Sequence, residues 1–124
     1  MALYVDGFLI PIPKKNLAAY KRMAKLASQI WRKHGSLEYR ECIGDDLKTK
    51  GMKSFLKTAG AKSGETVIFA WIVYKSRAHR DLVNKKVMKD PRMLAMMTQM
   101  KDKKKTPFDP RQMAYGGFKV IVDA

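Results

Sequence analysis

Asp6 is the residue that most invites a chemical reading. It lies inside the apolar, β-branched stretch Leu3-Tyr4-Val5-Asp6-Gly7-Phe8-Leu9-Ile10, where an unpaired carboxylate is costly and must either find a donor or shift its pKa upward. Pairing with a structural donor is the commoner outcome for such a group. A carboxylate held in an apolar cavity is also the best general-base candidate in the chain. Glu41 alternates with Tyr39 and Ile43 and so shares their face, although Glu more often faces solvent at a sheet edge. Trp71 and Tyr115 are the aromatics able to stack on a flat ligand, with core packing as their ordinary use. Asp6, Glu41, Trp71 and Tyr115 are therefore the candidate ligand pocket, with Asp6 as proton acceptor if a reaction occurs there.

The remaining reactive side chains read more plainly. His34 belongs at a helix C-terminus, where a cation complements the dipole, and His79 falls in a first helical turn facing solvent. A single Cys42 on a strand is an inert small hydrophobe, and no ligand spacing links it to either His, so neither a metal nor a cofactor is expected. Asp109 suits an Asx-type turn, and Asp90 with Arg92 reads as a helix cap beside a surface charge. Lys101, Lys103, Lys104 and Lys105 are possible polyanion contacts. Lys rather than Arg in that run points to diffuse attraction rather than to readout of phosphate or base geometry.

These groups need a scaffold, and 124 residues with 46% apolar content suffice for one domain spanning residues 1–124. No apolar run approaches the ~18–20 residues of a membrane span. The amino-terminal stretch lacks a basic n-region and a small-residue cleavage site, so the cytoplasm is the expected location, in keeping with a lone cysteine. Of the net charge of +15, over half lies between Lys75 and Arg111, which carry 12 basic and 4 acidic residues. Such an excess raises nucleic acid as a partner without favouring it.

The apolar pattern predicts six main elements. Leu3 to Ile10 reads as a strand ended by Pro11 and Pro13. A helix follows from an Asn16 cap, with Leu17, Tyr20, Ala24, Ala27, Ile30, Trp31 and His34 inward and Gly35 in the C-terminal αL position. Leu37 to Ile43 is a second strand; Asp45 to Gly64 is a long excursion with one helical turn around Met52, Phe55 and Leu56. Thr66 to Tyr74 is a third strand, apolar on both faces and therefore central. Ser76 caps a helix with Ala78, Leu82, Val83 and Val87 inward, and Asp90-Pro91 restarts it ahead of a Met93, Met96, Met97, Met100 stripe that fits core packing. Met113 to Val122 is a last strand, whose Gly116-Gly117 pair points to a bulge or a close approach. The order β-α-β-β-α-β is the α+β, ferredoxin-like plan of an antiparallel sheet with helices on one face. One helical layer leaves the opposite apolar face bare, and a second copy of the sheet is its simplest cover: a homodimer closing into a barrel with ligand space between the sheets.

Five segments, taken together, resemble one family: Tyr4-Val5-Asp6-Gly7-Phe8; His34-Gly35 with Glu41-Cys42-Ile43-Gly44-Asp45-Asp46; Val87-Met88-Lys89-Asp90-Pro91-Arg92-Met93; Pro107-Phe108-Asp109; and Tyr115-Gly116-Gly117-Phe118. They are similar to the YbaA-like family of small bacterial proteins in the dimeric α+β barrel superfamily. The resemblance implies a ferredoxin-like homodimer and supplies no activity. The wider superfamily, which includes cofactor-free monooxygenases, haem-degrading enzymes and ligand-binding modules, inclines the expectation toward small molecules. The chain departs from the family pattern in having Gln112-Met113 where an Arg-Met pair is usual, and Tyr74-Lys75 where an aromatic-Pro pair is common.

The leading functional expectation is thus a cytoplasmic homodimer holding a small molecule between its sheets, with or without a cofactor-independent reaction. RNA binding is the rival, because the RRM shares this strand order. A third strand without Gly or charge argues against it. If Asp6 faces a ligand, Asp6→Asn relieves its desolvation; thermal denaturation should then show equal or higher stability while ligand binding falls.

Overall fold

The computed structural model describes residues 2–124. Its elements are β1 (Tyr4–Pro13), α1 (Leu17–Lys33), β2 (Glu38–Ile43), α2 (Phe55–Ala59), β3 (Glu65–Tyr74), α3 (Arg77–Val87), α4 (Pro91–Met100) and β4 (Ala114–Lys119), with single 3-10 turns before α1 and β4. The strands form one antiparallel sheet in the order β2-β3-β1-β4. This is the ferredoxin-like arrangement expected from the element order, with β3 and β1 central.

Strand β1 runs through both prolines rather than ending at them. Lys14 N–H donates to Gly64 on the β3 side, whereas Val120 N–H donates to the Leu3 carbonyl on the β4 side. Even-numbered β1 residues therefore bond β3 and odd-numbered ones face β4. Because β4 pairs only as far as Leu9, the missing N–H groups of Pro11 and Pro13 point at a vacant edge.

The same alternation sorts the side chains. Ile10, Ile12, Ile68, Ala70, Ile72 and Tyr74 are buried toward α1, α3 and α4, which contribute Tyr20, Ala24, Ala27 and Ile30, Val83 and Val87, and Met93 and Met96. Side chains such as Val83 and Val87, at 1% and 0% exposure, are each worth about 1.5–3 kcal/mol in burial. Helix α3 is rotated from its expected face, since Leu82 is 51% exposed and Ala78 is also outside. The inward stripe is instead Arg80, Val83, Asn84 and Val87. Asn84 accepts from the Trp31 indole at 3.1 Å and the Tyr74 hydroxyl at 3.3 Å, joining α1, β3 and α3.

The ends of the helices follow their sequence signals with two differences. Ser76 and Asp90 cap α3 and α4 through their side chains, and Gly35 adopts a positive φ of 113° after the His34 cap. Asn16 precedes α1 without capping it; its side chain reaches the Pro107 carbonyl at 2.9 Å instead. Asp90 does more than cap, because at 6% exposure it also bonds His34 and Arg92, tying the end of α1 to the start of α4. Its carboxyl is held well below the ordinary range by the hydrogen bond from Arg92 and then that from His34. Within the Met stripe, Met93, Met96 and Met100 pack on the core and Met97 turns outward.

Strand β4 stops at Lys119, short of Val122, and contains no bulge, since Gly7 pairs with Gly116 and Asp6 with Gly117 in unbroken register. The glycine is needed for a close approach: the Tyr4 ring lies where a Cβ on Gly117 would come within 2.8 Å of its Cε2. Gly117→Ala should cost about 1–3 kcal/mol in urea denaturation. In a Tyr4→Ala background the same substitution should cost far less, and equal costs would show the crowding to be elsewhere.

Candidate functional site

Alternation along β1 sends Asp6 to the helical side of the sheet, with Tyr4 and Phe8, and not to the uncovered face. There α3 delivers Arg80, whose Nη1 donates to Asp6 Oδ1 at 2.8 Å and to the Tyr115 hydroxyl at 2.7 Å. The guanidinium lies over the Tyr4 ring at 5.0 Å and also pairs with Asp81 at 2.8 Å. Side-chain exposures of 2% for Asp6 and 13% for Arg80 make this a buried ion pair joining β1, α3 and β4. Burial, and then the adjacent Asp6 charge, push the Tyr74 and Tyr115 hydroxyls above their usual range. Asp6 is thus committed to a cation. The signal in the sequence for Arg80 is its spacing, three and seven residues before Val83 and Val87 on the inward stripe of α3.

Trp71 lies on the other face of the sheet. With Val5, Leu9, Phe69 and Phe118 it lines a shallow trough of about 620 Å³ whose floor is the facing pair Gly7 and Gly116. The indole N–H is taken by Glu38 at 3.1 Å. Helix α2 covers one end of the trough, with Phe55 against Phe69 at 5.9 Å, so this short helix packs on the face opposite the other three. The rest is open, with Phe69 46% and Phe118 61% exposed. Tyr115, by contrast, shares the face of Phe8 and stacks on it at 5.0 Å.

Glu41 occupies a third place. Its register opposite Ala70 turns it toward α1, where Tyr20 donates to Oε1 at 2.5 Å and Tyr39 to Oε2 at 2.7 Å. Burial raises the Glu41 pKa, and the two phenol hydrogen bonds oppose that rise. Burial, and then the Glu41 charge, push both phenols far up. Beside this cluster is a cleft of about 430 Å³ between α1 and β2, walled by Leu17, Ala24, Ile43 and Ile68, with Lys21 and Lys25 at its mouth. The four sequence candidates are therefore divided among three places: Asp6 with Tyr115 around Arg80, Glu41 beside α1, and Trp71 in the trough, which Tyr115 also borders.

The other candidates are structural. His34 Nε2 lies 2.8 Å from Asp90. His79 is partly buried rather than solvent-facing; its Nδ1 accepts from Lys75 N–H at 3.0 Å and its ring edge meets Tyr74. Burial and then Lys75 and Lys86 lower its pKa. No group of three or more potential metal ligands occurs among the described residues. Lys101, Lys103, Lys104 and Lys105 are exposed on turns after α4, where Asp102 accepts from Lys104 N–H. Asp109 accepts from Arg111 N–H, forming the expected turn.

Comparison with known proteins agrees with this architecture. The chain belongs to the family described as protein of unknown function (DUF1428), which matches residues 3–110. It is 38% identical over 120 residues, 97% of each chain, to the uncharacterized protein YbaA of Escherichia coli K12, and equally to that of Shigella flexneri. Among solved structures it resembles a dimeric ferredoxin-like protein from an uncultured marine organism, with a TM-score of 0.52, 10% identity and full coverage of both chains.

The Arg80 pairing is the structural-donor outcome for Asp6, and it gives Asp6→Asn the opposite sign from that of a ligand-facing carboxylate. Asp6→Asn should leave a buried guanidinium without its counter-charge and lower stability by about 3 kcal/mol; an unchanged melting curve would contradict the pairing. Glu41 gives a pH signature of known sign. Because its folded pKa is raised, its contribution is full below the ordinary Glu value near 4.5 and is lost as pH rises through the folded value. Glu41→Gln should flatten that decline when stability is followed from pH 4 upward.

Proposed function

With that family and fold as the premise, we propose that the chain works as a homodimer whose sheets pack face to face, and that the space left between them holds a small, mostly apolar molecule. The observation that carries this reading is the trough of Val5, Leu9, Phe69, Trp71 and Phe118 over the Gly7–Gly116 floor. An aromatic surface of that kind on a central sheet is more than a monomer leaves to water, and a second identical surface is complementary to it in chemistry. The structural neighbour is itself described as dimeric. Among the described residues, Lys119 is the one charged residue lining the trough, with Arg40 across from Trp71 at its side, so the repulsion between two chains of net charge +15 falls mainly on exposed groups that salt screens.

The exposed Phe69 ring is the one observation that favours RNA binding instead, since bases stack on sheet aromatics in such folds. Its own cross-strand neighbours Leu9 and Cys42 carry no cation, and Arg40, opposite Trp71, is engaged by Glu38 at 3.2 Å. Diffuse polyanion binding through Lys101, Lys103, Lys104 and Lys105 is the other alternative, recognisable by affinity that collapses as salt rises. A cytoplasmic location is part of the proposal, resting on the lone half-buried Cys42; no helix among the described residues is long and apolar enough to cross a membrane.

Light scattering and native mass spectrometry test the reading together. A particle of twice the 14.2 kDa chain mass, converted to monomer by Phe118→Glu and releasing a small molecule on denaturation, is expected. A monomer at high micromolar concentration that binds single-stranded RNA through Phe69 would replace this reading with the RNA one.

A further inference from the structure

The cleft between α1 and β2 is separate from the inter-sheet space, lies on the opposite side of the sheet and is built from a single chain. We propose that it is a second binding site, for a small aromatic acid that carries a hydroxyl group: the hydroxyl donates to Glu41 and the acid group rests against Lys21 and Lys25.

Three features of the cleft carry this. Its volume of about 430 Å³ lies within the range of small-ligand pockets, and Leu17, Ala24, Ile43 and Ile68 give it apolar walls suited to a ring. At its floor, Glu41 uses one acceptor position on each oxygen for Tyr20 and Tyr39. A carboxylate has about four such positions, so acceptor capacity remains, and a ligand satisfies it only by bringing a donor. At its mouth, Lys21 and Lys25 stand one helical turn apart on the same face of α1 as Leu17, Tyr20, Ala24 and Ser28. Two ammonium groups there attract an anion and repel an amine, which excludes the cationic ligands that Glu41 alone would suit.

Tyr20 and Tyr39 belong to the core packing, but packing alone does not account for the charge between them. A half-buried carboxylate between two phenols is desolvated to no net benefit compared with apolar side chains of similar size, and here it borders unfilled volume rather than closing it. A binding role accounts for both the retained charge and the space beside it.

Amide-resolved NMR titration decides the matter, using 4-hydroxyphenylacetate as probe, with phenylacetate and tyramine as analogues lacking the hydroxyl and the acid group. The expected result is shifts over Leu17–Ser28 and Tyr39–Ile43 with none at Gly7 or Gly116, and binding weakened about tenfold for either analogue. Glu41→Gln should weaken the probe to a similar degree. The exposed pair Lys21→Gln with Lys25→Gln, which leaves the core untouched, should do the same even if the Glu41 variant fails to fold. No cleft shifts at millimolar probe, equal binding of phenylacetate, or undiminished binding to the lysine variant would each overturn the proposal. Shifts confined to the trough would likewise overturn it while supporting the inter-sheet site, and loss of the dimer alone would leave the cleft result unaffected.

Discussion

A buried carboxylate on a central strand constrains this fold more than any other single group. Asp6 has β3 on one side and β4 on the other, and its charge can be kept there only because Arg80 reaches it from α3. The requirement orients the helix: to bring Arg80 inward, α3 must turn Val83 and Val87 to the core and leave Leu82 outside. It also secures the edge strand, since the same guanidinium nitrogen holds the Tyr115 hydroxyl on β4. One cation thereby joins a central strand, an edge strand and the helical layer, and removing either charged partner leaves the other stranded in low dielectric.

The sheet that this pair anchors is apolar on both sides and covered on one. Helices α1, α3 and α4 bury Ile10, Ile72 and Tyr74 and their neighbours, whereas on the reverse only α2 covers one end. That asymmetry gives the molecule its two kinds of concavity. The trough on the reverse is wide and mostly aromatic, with Lys119 the one charged residue in its lining among the described residues. The cleft under α1 is narrow and bipolar, with a carboxylate inside and ammonium groups outside. They differ in chemistry because strand alternation places Glu41 on one side of β2–β3 and Trp71 on the other.

Charge is distributed accordingly. Most of the basic excess lies on helices and on the Lys101–Lys105 turns, exposed to water and to counterions. At Glu41 with its tyrosines, at the tyrosines around Asp6 and at Asp90, burial and fixed neighbours rather than net charge set the protonation equilibrium.

Local pattern determined much of this protein. Period-two and period-3.6 spacing, with Ser76, Asp90-Pro91 and Gly35 as boundaries, was enough to order the elements and to name the ferredoxin-like plan, because those signals act over a turn or a strand pair. An apolar third strand was enough to show that one helical layer leaves a face uncovered. Where sequence expectation and structure part, the deciding contact is long-range. Pro11 and Pro13 do not stop β1, because β4 happens to end beside them. Gly116 and Gly117 make no bulge, because the Tyr4 and Phe118 rings fill the space above the glycine backbone. Asp6, Glu41, Trp71 and Tyr115 were grouped by composition, but which face each occupies depends on register, and which partner each finds depends on residues distant in the chain: Arg80 is 74 positions from Asp6, and Tyr20 is 21 from Glu41. The sequence alone announces that a charge in an apolar strand must be answered; only the folded chain, by bringing a particular helix face over a particular strand, determines which residue answers it.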